Sequence, residues 1–142
     1  MDKIDNILIV MVGLPRSGKS TWARKQGYPI VNRDSVRLAL HGGRFIQEAE
    51  DMVSSIVKIM VKSMFLAGHN IVILDECNVN ERSRGLWNCN DNLWRVKYKY
   101  IDTTKEECLR RAALTNDTEI VPVINRMASY FNFEPIDGRM WE

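Results

Sequence analysis

Cysteine is scarce: Cys77, Cys89 and Cys108 are the three in 142 residues, an odd number with no CxxC pair. Neither a disulfide framework nor a zinc site follows from them, and the chain reads as one made for a reducing compartment, the cytosol. Long hydrophobic runs are missing too, since no stretch approaches the roughly 18 apolar residues of a membrane span. The opening residues MDKIDNILIV put acids ahead of a short apolar run and lack the basic start of a secretory leader. Secretion and membrane insertion are therefore disfavoured. An excess of one charge is also lacking: 20 Lys and Arg face 18 Asp and Glu, and a net +2 is too little to attract polyanions generally. Any polyanion site has to be local. What remains is an ordinary globular balance, 45% hydrophobic and 27% charged, without repeats or low-complexity stretches. At this length folding buries roughly 68–70% of the unfolded chain's surface, so one domain over residues 1–142 is expected.

Ile7-Leu8-Ile9-Val10-Met11-Val12 is continuously apolar and ends at Gly13, the pattern of a strand covered on both faces of a parallel sheet. A short helix is expected over Ser20–Gln26, a strand over Ile30–Asn32 and a helix over Ser35–Leu40, stopped by Gly42-Gly43. Ala49, Val53, Ile56, Met60 and Met64 recur at helical spacing, which predicts one long helix from Gln47 to Ala67. Ile71–Leu74 repeats the buried-strand pattern. Asn78 or Asn80 is placed to cap a helix over Arg82–Asn92. Arg95–Ile101 alternates, with Lys97 and Lys99 between Val96, Tyr98 and Tyr100, and so predicts a half-exposed strand. Helices over Thr104–Leu114 and Val123–Phe131 follow, and the tail from Phe133 to Glu142 is expected to lie on the surface or fray. Strands alternating with helices at this spacing predict an α/β fold, a parallel sheet sandwiched by helices.

Gly13-Leu14-Pro15-Arg16-Ser17-Gly18-Lys19-Ser20 fits the phosphate-binding loop G-x-x-x-x-G-K-[ST] and sits, as that loop must, between an apolar strand and a helix. Its glycines permit a tight anion nest, its N–H groups face phosphates, Lys19 reaches the terminal phosphates and the Ser20 hydroxyl is a magnesium ligand. Binding of ATP with Mg²⁺ is the expectation.

In open parallel sheets ligands bind beyond the carboxyl ends of the strands. The first helix descends about 12 Å and the strand after it climbs about 13 Å, which returns Asp34 to the level of the loop. The strand ending at Leu74 brings Asp75 and Glu76 to the same rim. Acids beside a triphosphate repel it unless they hold the metal or take a proton, the two roles phosphoryl transfer needs. Asp34 is a candidate base, against the plainer alternative of a helix N-cap that Ser35 would serve equally. Arg37 projects from the same helical face, either toward a substrate phosphate or into solvent. One of Asp75 and Glu76 is expected to be functional, and spacing alone does not choose between them.

Ser17-Gly18-Lys19-Ser20-Thr21-Trp22-Ala23-Arg24, then Asn32-Arg33-Asp34 with Arg37, then Asp75-Glu76-Cys77-Asn78-Val79-Asn80, resemble the kinase domain of bacteriophage polynucleotide 5′-hydroxyl kinases. Looser likeness continues through Glu107-Cys108-Leu109-Arg110-Arg111 and from Val121-Pro122 to Arg126-Met127. The resemblance implies transfer of the ATP γ-phosphate to the 5′-hydroxyl of DNA or RNA, with nucleic-acid ends as the partner. It implies Asp34 as the proton acceptor and Arg37 on the phosphate 3′ of the acceptor nucleotide. Lys19, Ser20 and Thr21 would hold ATP and Mg²⁺, and Arg111 would lie on a lid over the donor phosphates. The chain departs from that pattern in having Thr115 where a second lid arginine stands, with Arg110 or Arg16 as replacements. Aligning on Asn78 and Asn80 selects Glu76 as the acid, whereas related small kinases favour Asp75. No DxDxT phosphatase motif is present.

Arg95, Lys97 and Lys99 form a basic row that is either a solvated strand face or a contact for a nucleic-acid backbone. His41 and His69 lack metal-ligand spacing. Trp22 and Met60 read as core, while Trp87, Trp94 and Trp141 have no assigned role. Two other functions fit parts of the pattern: a kinase of a small alcohol or nucleoside, and a nucleotide-binding module that has lost catalysis, the latter suggested by Thr115.

Overall fold

The computed structural model describes residues 5–88 and 92–142. Its apolar, β-branched segments pair as one parallel sheet: β1 (Ile7–Val12), β2 (Ile30–Asn32), β3 (Ile71–Asp75) and β4 (Arg95–Tyr100), in the order β2-β3-β1-β4. Interior position explains why β1 needs no alternation, since Leu8 to Val12 are all fully buried. Its odd and even residues serve opposite layers. Leu8, Val10 and Val12 join Val53, Val57, Val61 and Phe65 on one face, and Ile9 and Met11 join Ile73 and Ala23 on the other.

Among the described residues six helices flank the sheet: α1 (Lys19–Arg24), α2 (Arg33–His41), α3 (Glu50–Leu66), α4 (Glu81–Gly85), α5 (Lys105–Leu114) and α6 (Ile120–Ser129). The long helix differs from the sequence expectation in two ways. Its first turn, Gln47–Ala49, is a 3-10 turn, and its buried stripe is Val53, Val57, Val61 and Phe65, with Ile56, Met60 and Met64 only flanking it. A strict i+4 row turns the β-branched valines into the sheet and leaves the flexible methionines at the margin. The helix expected over Arg82–Asn92 ends at Gly85, and its far end falls partly outside the described residues, as does Cys89. Asn80 is its cap, accepting from the Ser83 N–H at 2.9 Å.

The tail is built into the fold. Tyr98 N–H donates to Arg139 O and Trp141 N–H to Tyr98 O, each at 2.8 Å, so residues 139–141 cover the free edge of β4. That placement takes up one member of the basic row, Lys97, whose Nζ donates to Gly138 O at 2.7 Å; Lys99 Nζ lies 5.2 Å from the Trp22 ring centroid on α1, and Arg95 is exposed. Trp87 and Trp94 are buried, Trp94 stacked on Phe65, and Trp141 packs edge-on against Tyr28. No helix among the described residues is long and apolar enough to cross a membrane.

Candidate active site

Sheet register builds the rim. Val10 pairs with Leu74 and Asn32 with Asp75, so β1, β2 and β3 finish together, and Gly13 N–H donates to Cys77 O at 3.0 Å. Gly13 has no room for a side chain, because a Cβ would lie 2.8 Å from Ser17 Oγ and 3.0 Å from Ile101 O. Gly18, at φ +103°, turns the loop into α1. Thr103 Oγ1 donates to Ser17 O at 2.7 Å, which pins the loop to the segment after β4. Lys19 is buried along this loop, its Nζ donating to Leu14 O at 2.7 Å and to Ser17 Oγ at 3.4 Å. Thr21 is exposed on α1.

The structure separates the two rim acids that spacing left undivided. Asp75 is buried, and its Oδ2 accepts from Ser20 Oγ at 2.6 Å and from Asn32 Nδ2 at 2.9 Å. Glu76 turns to Arg33 at 3.2 Å instead, and burial pushes its carboxyl above the usual range despite that guanidinium. Arg33 also donates to Glu50 and to Ser54 Oγ, so Glu76 belongs to an internal brace behind the rim.

Asp34 does not cap α2. That role falls to Asn32, whose Oδ1 accepts from Ser35 N–H at 2.7 Å, and neither of the two residues expected there is used. Asp34 is left with its side chain 84% exposed, held by Arg37 Nη1 at 2.8 Å. Arg37 is not a solvated surface residue: it is 17% exposed and forks onto Glu50 through Nε at 3.0 Å and Nη2 at 2.6 Å. These bonds hold the Glu50 carboxyl below its usual range. Sequence reasoning missed Glu50, an acid in the first turn of α3 with no spacing to mark it, and missed the double use of Asn32.

Helix α5, capped by Thr104 Oγ1 on Glu107 N–H at 3.2 Å, overhangs the loop. Arg111 Nη1 donates to Arg16 O at 3.1 Å and lies 3.6 Å from where a Gly18 Cβ would be. Arg110 points away, bound by both Glu107 oxygens at 2.7 and 2.6 Å. Arg110 and Arg111 together hold the Glu107 carboxyl at about 2 instead of 4.5. A depressed acid stabilises the fold fully above its unfolded pKa and loses that contribution as pH falls through the folded one. Carboxyl NMR should therefore show Glu107 titrating near 2, with this support for α5 lost between pH 4.5 and 2. A midpoint near 4.5 refutes the pairing in solution.

The family model for an AAA domain, AAA_33, matches residues 8–133. The chain belongs to this family. Among solved structures, the AAA_33 domain resembles a chain of a Pnkp1/Rnl/Hen1 complex at 28% identity and TM-score 0.68, over 78% of this chain and 40% of that one. It resembles a chain of the Pnkp1/Rnl/Hen1 RNA repair complex at 21% identity and TM-score 0.69, over 99% and 51%. It thus spans about half or less of those chains. A gluconokinase from Sinorhizobium meliloti 1021 shares 14% identity at TM-score 0.61, over 98% of this chain and 82% of that one.

The fold of this AAA_33 domain is that of the P-loop kinases, and nucleotide binding follows from it. Among the described residues no three His, Cys, Asp or Glu are grouped as a metal cage. The donors that do meet, Ser20 Oγ and Asp75 Oδ2, are two hard oxygens at the end of the phosphate loop. Such a partial set suits Mg²⁺, which takes its other ligands from water and phosphate.

Proposed function

We propose that this AAA_33 domain transfers the γ-phosphate of ATP to the 5′-hydroxyl of a DNA or RNA end. One observation carries the reading: on the same rim as the phosphate loop, α2 presents an exposed carboxylate, Asp34, held at 2.8 Å by an arginine that is itself fixed on Glu50. The 28% identity to a chain of a Pnkp1/Rnl/Hen1 complex supports a nucleic-acid acceptor.

In this reading the loop N–H groups and Lys19 hold the β- and γ-phosphates, Lys19 exchanging the Leu14 carbonyl for phosphate oxygens. Ser20 and Asp75 would hold Mg²⁺, which when bound offsets charge on the phosphate oxygens. Asp34 receives the proton of the attacking hydroxyl. The new O–P bond forms as the bond from the γ-phosphorus to the β,γ-bridging oxygen breaks, and ADP leaves with that electron pair. Arg37 binds the phosphate 3′ of the acceptor nucleotide, and Arg111 lies over the donor phosphates. Because such a transition state is loose, positioned cations account for most of the acceleration.

A second reading, a kinase of a small alcohol, is favoured by the gluconokinase, since this chain covers 82% of that one. Acceptor ranking decides between them. With labelled ATP, magnesium, and oligonucleotide, nucleoside 3′-monophosphate and free nucleoside acceptors, the proposal expects the first two to be labelled at least tenfold faster than the third. Through Arg37, one charge-assisted contact accounts for about that factor. Equal labelling of the free nucleoside, or labelling of a sugar alcohol alone, transfers the assignment to the second reading.

A further inference from the structure

Arg16 stands inside the phosphate loop, but its side chain leaves it. At φ +69° the residue occupies the left-handed region where glycine is at ease and a long side chain is strained. Strain of this kind persists where the surroundings enforce it, and it clusters at functional sites. The strained backbone sends the guanidinium across to the turn after α5, where Nη2 donates to Thr115 Oγ1 at 2.9 Å and to Asp117 Oδ2 at 2.8 Å. Arg44, from the segment following α2, donates to both Asp117 oxygens at 2.8 Å. Asp117 is itself fixed by its N–H on Ala112 O at 3.0 Å. One carboxylate therefore gathers a cation from the donor loop and a cation from the side of α2; Arg44 also reaches Glu119 Oε2 at 3.3 Å, whereas Asp117 is the one acid among the described residues that Arg16 pairs with.

We propose that Arg16 is a catalytic cation on the γ-phosphate, carried by the phosphate loop itself, and that Asp117 is the positioning residue that keeps it poised, with Arg44 tying that poise to α2. A carboxylate and a phosphoryl group both offer anionic oxygens to a guanidinium, and Arg16 meets Asp117 through the single contact of Nη2 with Oδ2, so it can exchange one anion for the other. Its neighbour Arg111 already grips the carbonyl of residue 16 at 3.1 Å, so a second guanidinium stands against the same loop. Arg110 does not compete, its side chain being 60% exposed and engaged by Glu107. The inference rests on the nucleotide-binding half of the function proposed above and is indifferent to the acceptor.

The test is calorimetric and contains no acceptor. ADP and the non-hydrolysable β,γ-imido analogue of ATP are titrated, with magnesium, into the parent, Arg16→Gly, Asp117→Asn, the double variant and Arg110→Ala. Arg16→Gly removes the guanidinium while relieving the left-handed backbone, so its melting temperature is expected to hold or rise. Its affinity for the imido analogue should fall at least tenfold with ADP within twofold of the parent. Asp117→Asn should weaken the imido analogue alone by a smaller factor, and the double variant should bind it no more weakly than Arg16→Gly. Equal losses for both nucleotides, additive losses in the double variant, or loss of discrimination in Arg110→Ala each overturn the proposal. An acceptor ranking that fails while this pattern holds refutes only the polynucleotide assignment.

Discussion

Asp34→Asn should lower phosphoryl transfer by about 10²–10⁴-fold, the range expected when a positioned general base is removed, and leave ATP affinity within about twofold. The structure makes this a clean substitution. Asparagine keeps an oxygen for the 2.8 Å bond to Arg37 Nη1, so the Arg37–Glu50 fork on the acceptor side has no reason to move. Helix α2 is capped by Asn32 and not by Asp34, so no cap is lost. The side chain is exposed, and removing one surface charge of this kind changes stability by no more than about 0.5 kcal/mol. Single-turnover transfer, nucleotide titration and thermal melting, measured on the same preparation, separate the possibilities. A rate loss below tenfold removes Asp34 from the role of base. A matching fall in ATP affinity or melting temperature makes it a structural residue.

Parts of this site were legible from local pattern and parts were not. The strand Ile7–Val12 and the loop from Gly13 to Ser20 stand side by side in the chain, so apolar content and glycine spacing reveal both. The return of Asp34 to the rim follows from a rise per residue down one element and up the next. The division of labour between Asp75 and Glu76 depends on the register that sets Asn32 beside Asp75, and register between β2 and β3 is a long-range fact. The same limit applies to Arg37, whose partner Glu50 lies across a loop and a 3-10 turn. It applies most strongly to Asp117, which joins Arg16 and Arg44 from far positions and matches no motif. The long helix misled for another reason. Several apolar residues lie on two adjacent faces of α3, and periodicity alone cannot say that the sheet prefers the valine row. The tail carries Pro135 and Gly138, which read as surface punctuation, yet its pairing is made by backbone groups that side-chain pattern does not report.

Arg84→Ala is expected to destabilise the fold by about 3 kcal/mol, lowering the melting temperature by roughly 6–12 °C for a domain of this size. Arg84 closes α4 and is 7% exposed. Its Nη1 donates to Asn78 O at 2.9 Å, and its Nη2 donates to Asn132 O at 2.6 Å and Asn132 Oδ1 at 3.2 Å. The guanidinium lies 5.1 Å from the Phe133 ring centroid, and burial lowers its pKa. Truncation leaves two carbonyl groups without their donor and opens a void against the ring, and each effect alone costs on the order of 1–3 kcal/mol. Lysine should recover less than half of the loss, because a single ammonium does not fork to two carbonyls. The consequence reaches the site. Asn78, at φ +47°, sends Nδ2 to Met11 O at 3.0 Å and so braces the strand end that launches the phosphate loop. Loosening Arg84 frees that brace, and nucleotide affinity should fall along with stability as temperature rises, whereas at low temperature the variant should bind ATP nearly as the parent does. A melting shift below 3 °C removes Arg84 as the tie between the rim and the segment after α6. A large affinity loss persisting in the cold places it in the nucleotide site itself.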